Sequence, residues 1–171
     1  MRDLSSIISG IAPSATLEIS EKARQMQRQG VDVISLSIGE PDFDTPSHIK
    51  EACIQALLRG ETHYAPSNGI PELISAISQK TEQENNIPCT PGKVIVTCGA
   101  KDAIYDAMVA VLNPGDEVII LDPSWVSYEP CVRMAGGKPV HHLLNTRTFQ
   151  VNEAVLDKIT QKTRMIVINS P

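Results

Sequence analysis

The sequence predicts an α/β protein in which a largely parallel sheet is covered by helices on both faces. After Pro91, short apolar runs typical of buried strands alternate with segments of helical periodicity. This alternation predicts βαβ units and therefore parallel strands. The 171 residues, 42% of them hydrophobic, suffice for a substantial core. We expect a three-layer αβα sandwich from about residue 46 onward.

The first half of the chain is predicted to hold an irregular arm, three helices and one strand. VDVISLSI alternates apolar and polar residues, which is typical of a half-buried strand. Thr45 and Pro46 suit the N-cap and the first position of a helix, because proline lacks the amide that this position leaves unpaired. The predicted elements are the arm at 2–13, a helix at 14–29, the strand at 31–38, a helix from Pro46 to the residue before Gly60, and a helix around 70–77.

The second half is predicted to alternate strands with helices. Its apolar runs and its Pro-Gly and Gly-Gly pairs mark the boundaries between these elements. The predicted strands lie at 94–97, 118–121, 138–143 and 165–168, and the predicted helices at 100–111, 127–135 and 153–160.

Composition excludes several classes of protein. The formal net charge of −5 argues against a nucleic-acid or membrane-surface binder, since both need a concentrated basic face. No apolar run approaches the length of a membrane span, and the N-terminal segment is a poor secretory signal, so a cytoplasmic location is expected. The four cysteines have no paired spacing, which argues against a zinc site or a disulfide framework.

A candidate anion site lies in the strand–loop–helix segment VIVTCGAKDAI. The amides and the dipole at the start of a helix attract anions, Gly99 allows close backbone approach, and Lys101 adds a positive charge. A plain strand-to-helix turn with a solvated lysine explains the same residues. Neither G-x-G-x-x-G nor G-x-x-x-x-G-K-[ST] occurs, which argues against a generic nucleotide-binding domain.

Two further loops hold aromatic candidates. Trp125, the only tryptophan, follows the predicted strand 118–121, and an indole there can lie flat against a planar ligand. Tyr64 carries a hydroxyl that could reach a phosphate. A partly buried tryptophan and a packing tyrosine are the structural alternatives. His141 and His142 are neighbours on a strand, point to opposite faces and are interpreted as structural, and no metal-ligand spacing is present.

Six segments, taken in order, resemble the class I aminotransferases of the fold-type I pyridoxal-phosphate enzymes. These segments are SIGEPDFDTP, THYAPSNGIPEL, VTCGAKDAI, LNPGDEVIILDPSWVSY, AGGKPV and the ending INSP. The resemblance extends over about residues 11–171 and is greatest to the bacterial and archaeal aspartate aminotransferase branch. It implies pyridoxal 5'-phosphate as cofactor, an amino acid and a 2-oxo acid as substrates, and a homodimer.

The resemblance also implies roles for individual residues toward the cofactor. Gly99 with the amides of Ala100 and Lys101 is similar to the cup that binds the cofactor phosphate. Tyr64 resembles the tyrosine that reaches the phosphate of the partner subunit. Trp125 resembles the aromatic residue stacked on the pyridine ring.

For the substrate, the resemblance points to four residues. Gly39 is similar to the glycine whose backbone contacts the α-carboxylate, and Trp125 borders the same space. Lys101, with Thr16 nearby, resembles the group facing the distal carboxylate of an acidic substrate, because a cation matches a dicarboxylate. Aspartate or glutamate is therefore the expected amino acid.

The resemblance further implies a division of the chain and a missing group. Residues 1–45 are expected to form an N-terminal arm and small-domain segment, and residues 46–171 the incomplete first part of the large cofactor-binding domain. The family's Schiff-base lysine is expected beyond Pro171, so the 171-residue chain alone is expected to be inactive. The alternatives are a carbon–sulfur or other amino-acid lyase on this scaffold, an aminotransferase for aromatic or aliphatic substrates, and a non-catalytic fragment that acts only by association.

Overall fold

The computed structural model describes residues 5–169, which form two compact units. One unit contains residues up to 25 together with the segment from 98 onward, and the other contains residues 26–97. Neither unit boundary falls at residue 45. The assignment of residues 1–45 to a small domain and of 46–171 to a large domain stays a prediction.

Six helices, three strands and two 3₁₀ segments make up the described residues. The helices are α1 (Ser6–Ser9), α2 (Ala15–Arg28), α3 (Ser47–Leu58), α4 (Pro71–Asn85), α5 (Ala100–Val111) and α6 (Tyr128–Met134). The strands are β1 (Glu117–Asp122), β2 (Lys138–Leu143) and β3 (Thr163–Val167), and the 3₁₀ segments are Pro91–Lys93 and Glu153–Lys158.

The first unit is built on a parallel three-stranded sheet in the order β2-β1-β3. The central strand β1 is buried on both faces, has a strand on each side, and is covered by helices on the face of Val118 and Ile120. Val118 and Ile120 of β1 pack with Met108 of α5 and Val132 of α6 in one hydrophobic cluster. The predicted α/β fold with parallel strands and covering helices is confirmed.

The strand order places a change of direction at β1. The chain runs from β1 to β2 on one side and then returns to place β3 on the other side. In open parallel sheets, ligands bind beyond the carboxyl ends of the strands at such a point. The segments that follow Asp122 and Val167 therefore border the expected binding edge.

The second unit holds α3 and α4 and the extended segments around them. Within it, Ser78 donates a hydrogen bond to the carbonyl of Cys89 at 2.8 Å, and Val96 N–H donates to the carbonyl of Asn68 at 2.9 Å. A methyl group added at Gly69 would lie 2.6 Å from Val96 Cγ2, so only glycine fits there. These contacts fix the segment before Cys98 against α4.

Two predicted strands are wrong. Residues 31–38 and 94–97 are extended but join no sheet among the described residues. A strand requires a hydrogen-bonded neighbour, and neither segment has one among the described residues. Leu36, 93% exposed, and Ile95, 72% exposed, show that these apolar patterns find no cover within the described chain.

Three element boundaries also differ from the prediction. The helix expected to follow a Thr45 cap has Pro46 in the N-cap position, without a side-chain cap. The arm contains the single helical turn α1. The helix predicted at 153–160 is a shorter 3₁₀ segment, which Asn152 caps by accepting a hydrogen bond from the amide of Ala154 at 3.0 Å.

Candidate functional site

Four side chains meet at the carboxyl edge of the sheet and are called here the Trp125 cluster: Lys101, Trp125, Tyr128 and Asn169. The ammonium Nζ of Lys101 lies 4.8 Å from the centroid of the Trp125 ring, within cation–π range. The Tyr128 ring meets the indole edge-to-face, with centroids 5.5 Å apart and planes at 88°. Tyr128 Oη donates to Asn169 Oδ1 at 2.7 Å.

The loop before α5 has the geometry of an anion cradle. Gly99 is the N-cap residue and has φ +97° and ψ 169°, a conformation that favours glycine strongly. The amide of Cys98 donates to Asp102 Oδ2 at 3.1 Å, which fixes the loop against the first helical turn. A methyl group added at Gly99 would meet no heavy atom within 4 Å, so the space beside it is open.

That cradle holds two sources of positive potential, and the carboxylate of Asp102 in the same turn carries the opposite charge. The first-turn amides of α5, including those of Ala100 and Lys101, have no partner within an ideal helix and lie at the positive end of its dipole. The ammonium of Lys101 adds a full charge from the same turn. The helix dipole and the Lys101 ammonium both attract negative charge.

The loop that follows β1 is held by a chain of polar contacts. Ser124 Oγ donates to Asp122 Oδ1 at 2.8 Å, and Asp122 Oδ2 lies 2.6 Å from His141 Nδ1. Glu129 Oε2 of α6 lies 3.4 Å from His141 Nε2, and Arg133 pairs with Glu129 at 2.8 Å. These contacts connect β1, β2 and α6 around the segment that carries the indole.

The two neighbouring histidines occupy different environments, as the strand pattern predicts. His141 faces the carboxylates of Asp122 and Glu129, whereas His142 is buried and its Nε2 has no hydrogen-bond partner among the described residues. Within residues 5–169, no three His, Cys, Asp or Glu side chains are grouped as a metal site requires.

The ammonium of Lys101 also influences a buried thiol. Burial raises the pKa of Cys131, and the positive charge of Lys101 opposes that shift. Cys131 packs in the core cluster with Tyr128 and Val132. The raised pKa favours the protonated thiol, which suits the packing position of Cys131 in the core.

The structure brings some predicted site residues together and leaves others apart. Lys101 and Trp125 are in contact, and Ala100 shares the first turn of α5 with Lys101. Thr16 lies near the start of α2, where its hydroxyl is 3.0 Å from that of Ser14. Gly39 and the fully exposed Tyr64 belong to the other compact unit, and their roles stay predictions.

Three residues that shape this edge have no predicted role in the sequence analysis. Tyr128 is three residues after Trp125, and that spacing could have indicated a shared helical turn. Asp102 stands three residues after Gly99, which is the spacing of a helix-start acceptor. Asn169 is 41 residues from its partner Tyr128, and no local signal links them.

Comparison with known proteins identifies the class to which this fold and edge belong. The sequence model of the family described as aminotransferase class I and II matches residues 31–171. The chain belongs to this family, which confirms the resemblance found in its motifs. It corresponds to an N-terminal portion of the fold-type I enzymes.

Individual relatives support the same assignment. The chain is 48% identical over 173 residues to an aspartate/prephenate aminotransferase of Thermus thermophilus, with 100% of the chain and 45% of the relative covered. It is 45% identical over 166 residues to an aspartate aminotransferase of Bacillus subtilis, with 96% and 42% covered. The solved structure of the Thermus thermophilus aspartate aminotransferase with maleate superposes with a TM-score of 0.97 at 47% identity, covering 100% of this chain and 45% of that one. The chain thus spans less than half the length of the curated relatives it matches.

Among residues 5–169, no helix is both long and apolar enough to cross a membrane.

Proposed function

We propose that the full-length protein carrying this chain is a pyridoxal-phosphate-dependent aminotransferase that moves an amino group between aspartate or glutamate and a 2-oxo acid. The single observation that carries the proposal is the Lys101–Trp125 contact beside the glycine-opened start of α5. It joins a cation, a flat aromatic face and an anion cradle at one edge of the sheet.

The residues of this edge fit a phosphorylated aromatic cofactor. The loop at Gly99 and the amides of Ala100 and Lys101 suit a phosphate, and the open space at Gly99 leaves room for it. Trp125 is 39% exposed, and an indole at such an edge can lie against a planar ligand. When bound, pyridoxal phosphate supplies the electron sink for bond breaking at the amino-acid α-carbon. This chain's residues bind and orient it.

The substrate class follows from the same cation. The aliphatic stem of Lys101 starts on α5 and its ammonium rests above the indole, so the charge stays at the rim of the site. A carboxylate gains a charge-assisted hydrogen bond from such an ammonium. We propose that Lys101, with Thr16, receives the distal carboxylate of an acidic substrate and that Gly39 contacts the α-carboxylate.

The remaining parts of the proposal concern the assembly. Tyr64 is fully exposed within its unit, and an exposed tyrosine is available to a second subunit. We propose a homodimer in which Tyr64 reaches the cofactor phosphate of the partner and the covalent lysine is supplied by sequence beyond this chain. A cytoplasmic location belongs to the same proposal.

A substrate panel on the full-length protein tests the reaction. The proposal predicts transfer of the amino group from aspartate to 2-oxoglutarate, with one cofactor per subunit fixed by borohydride and detected by intact mass. Release of pyruvate and ammonia from a cysteine-type substrate would instead establish a lyase. A subunit that takes up no cofactor would contradict both the aminotransferase and the lyase. The remaining alternative would be a non-catalytic protein that acts by association.

A further inference from the structure

We propose that Tyr128 is a positioning residue that holds the indole of Trp125 in the orientation in which it receives a planar ligand. The inference rests on the proposed function for the identity of that ligand. The restraint on the indole is a property of the chain itself, so it is measurable without the ligand.

Tyr128 restrains the indole through its ring and its backbone. Its ring stands nearly perpendicular to the indole, at 88° with centroids 5.5 Å apart, and this contact limits rotation of the Trp125 side chain. Its amide donates to the Trp125 carbonyl at 3.1 Å, which closes the turn between the two residues. The ring contact and the backbone hydrogen bond both act on Trp125, and together they restrain its side chain.

Tyr128 is itself immobilised by the core. It is 9% exposed and packs among Cys131 and Val132 in the hydrophobic cluster under the sheet. Trp125 is 39% exposed and stands at the edge of the unit. Because Tyr128 is fixed by the core, its contacts also restrain the indole of Trp125, which is only partly packed.

The hydroxyl of Tyr128 adds a second anchor on another strand. It donates at 2.7 Å to Asn169, two residues after the end of β3. This bond connects the segment after β1 to the segment after β3, the two neighbouring strands at the change of direction. Without the hydroxyl, the ring keeps its packing but loses the contact that fixes its plane relative to β3.

The test uses the full-length protein labelled with 5-fluorotryptophan, in which Trp125→Phe assigns the Trp125 resonance. Tyr128→Phe removes the hydroxyl and keeps the ring, and Asn169→Ala removes the acceptor. Tyr105→Phe is the matched control, because Tyr105 packs against the same core cluster from α5. Thermal unfolding of each variant shows whether the fold is intact.

In cofactor-free protein, Tyr128→Phe and Asn169→Ala are each expected to shift and broaden the Trp125 resonance, whereas Tyr105→Phe leaves it unchanged. Loss of one hydrogen bond is expected to raise the Kd for pyridoxal phosphate about 3- to 10-fold. Inorganic phosphate competes with pyridoxal phosphate only at the anion cradle. Its inhibition constant against pyridoxal phosphate binding should therefore stay the same. The double variant should lose no more than either single variant, because both remove one bond.

A Trp125 resonance in Tyr128→Phe that matches that of Tyr105→Phe would overturn the positioning role. An equal weakening of pyridoxal phosphate and inorganic phosphate would overturn it as well, since that pattern indicates general loosening. If the unsubstituted protein binds no pyridoxal phosphate, the proposed function fails, and the cofactor-free resonance still decides whether Tyr128 restrains the indole.

Discussion

Gly99 combines a rare backbone conformation with open space at the start of α5. Its φ of +97° is a region that side chains with a Cβ rarely adopt, and it turns the chain into the first turn of α5. The open space beside it means that a methyl group would be penalised by backbone strain and not by a clash. A substitution at Gly99 therefore tests the backbone conformation of the cradle without adding a steric clash.

Gly99→Ala is expected to cost about 1–3 kcal/mol through backbone strain and to weaken cofactor binding in the full-length protein about tenfold. The matched control is Gly92→Ala, where a methyl group also meets open space and φ is not positive. Thermal unfolding and equilibrium binding of pyridoxal phosphate measure the two effects. A Gly99→Ala protein with the stability and affinity of Gly92→Ala would show that the loop conformation is dispensable.

Lys101 is the residue that we propose to decide the substrate class. Lys101→Gln keeps length and polarity but removes the charge above the indole, so kcat/KM for aspartate should fall about 10- to 100-fold relative to that for an uncharged amino acid. Lys22→Gln on the exposed side of α2 is the charge-matched control. An unchanged ratio of the two kcat/KM values would remove Lys101 from substrate recognition.

At the scale of elements, local pattern predicted those strands whose partners lie in the described chain. The apolar run in β1 is buried on both faces, and β2 and β3 pair with it in parallel, so pattern and structure agree. The runs at 31–38 and 94–97 have similar patterns but no neighbouring strand here. The hydrophobic pattern of a segment shows its tendency to form a strand. Whether the strand forms depends on pairing with residues that are far away in the sequence.

The same distinction applies to the site. Lys101 and Trp125 could be predicted because each closely follows an apolar run, Lys101 in the first turn of α5 and Trp125 in a loop. The Tyr128–Asn169 bond could not, since it depends on the side-by-side placement of β1 and β3. From the sequence, the glycine at position 99 indicates only that a positive φ is possible there. The fold determines that the residue adopts it.

The start of β1 links sheet stability to pH. Thr160 donates to Glu117 Oε2 at 2.7 Å and Lys138 lies 3.2 Å from Oε1, and these contacts, the Thr160 bond first, lower the pKa of Glu117. A lowered pKa in the fold contributes stability above the ordinary carboxyl value of about 4.3, and that stability is lost as pH falls through the lowered pKa. Glu117 therefore favours the folded sheet at neutral pH.

Glu117→Gln is expected to lower the thermal midpoint at pH 7 and to flatten its decline between about pH 5 and pH 3, because the carboxylate that titrates is gone. Glu61→Gln, at an exposed surface pair with Arg59, is the control. Melting curves across this pH range provide the measurement. Parallel pH profiles for the unsubstituted protein and Glu117→Gln would show that Glu117 does not couple the sheet to pH.

At the scale of the whole molecule, many large apolar side chains of the described residues are exposed. No residue of α3 is buried, and Ile34, Leu36 and Phe43 are largely exposed. Apolar surface of this kind marks places where a protein associates. A homodimer and the further sequence present in relatives are two sources of cover in the proposed enzyme.

The 171-residue chain produced alone is expected to self-associate and to bind a hydrophobic dye more strongly than the full-length protein. Size-exclusion chromatography with light scattering and dye fluorescence measure these properties. The full-length protein in the same buffer is the control. A stable, dye-silent monomer of the isolated chain would contradict the expectation that its apolar surface needs cover.

Equilibrium binding of pyridoxal phosphate to the full-length protein, compared among the unsubstituted form, Trp125→Phe and Trp125→Ala, tests the central claim most directly. The cofactor site is placed here at the Trp125 cluster, so loss of the stacking ring should raise Kd about tenfold or more in Trp125→Ala. Trp125→Phe keeps an aromatic face and should lose less. An unchanged Kd in Trp125→Ala, with the fold intact, would contradict the assignment of this edge as the cofactor site.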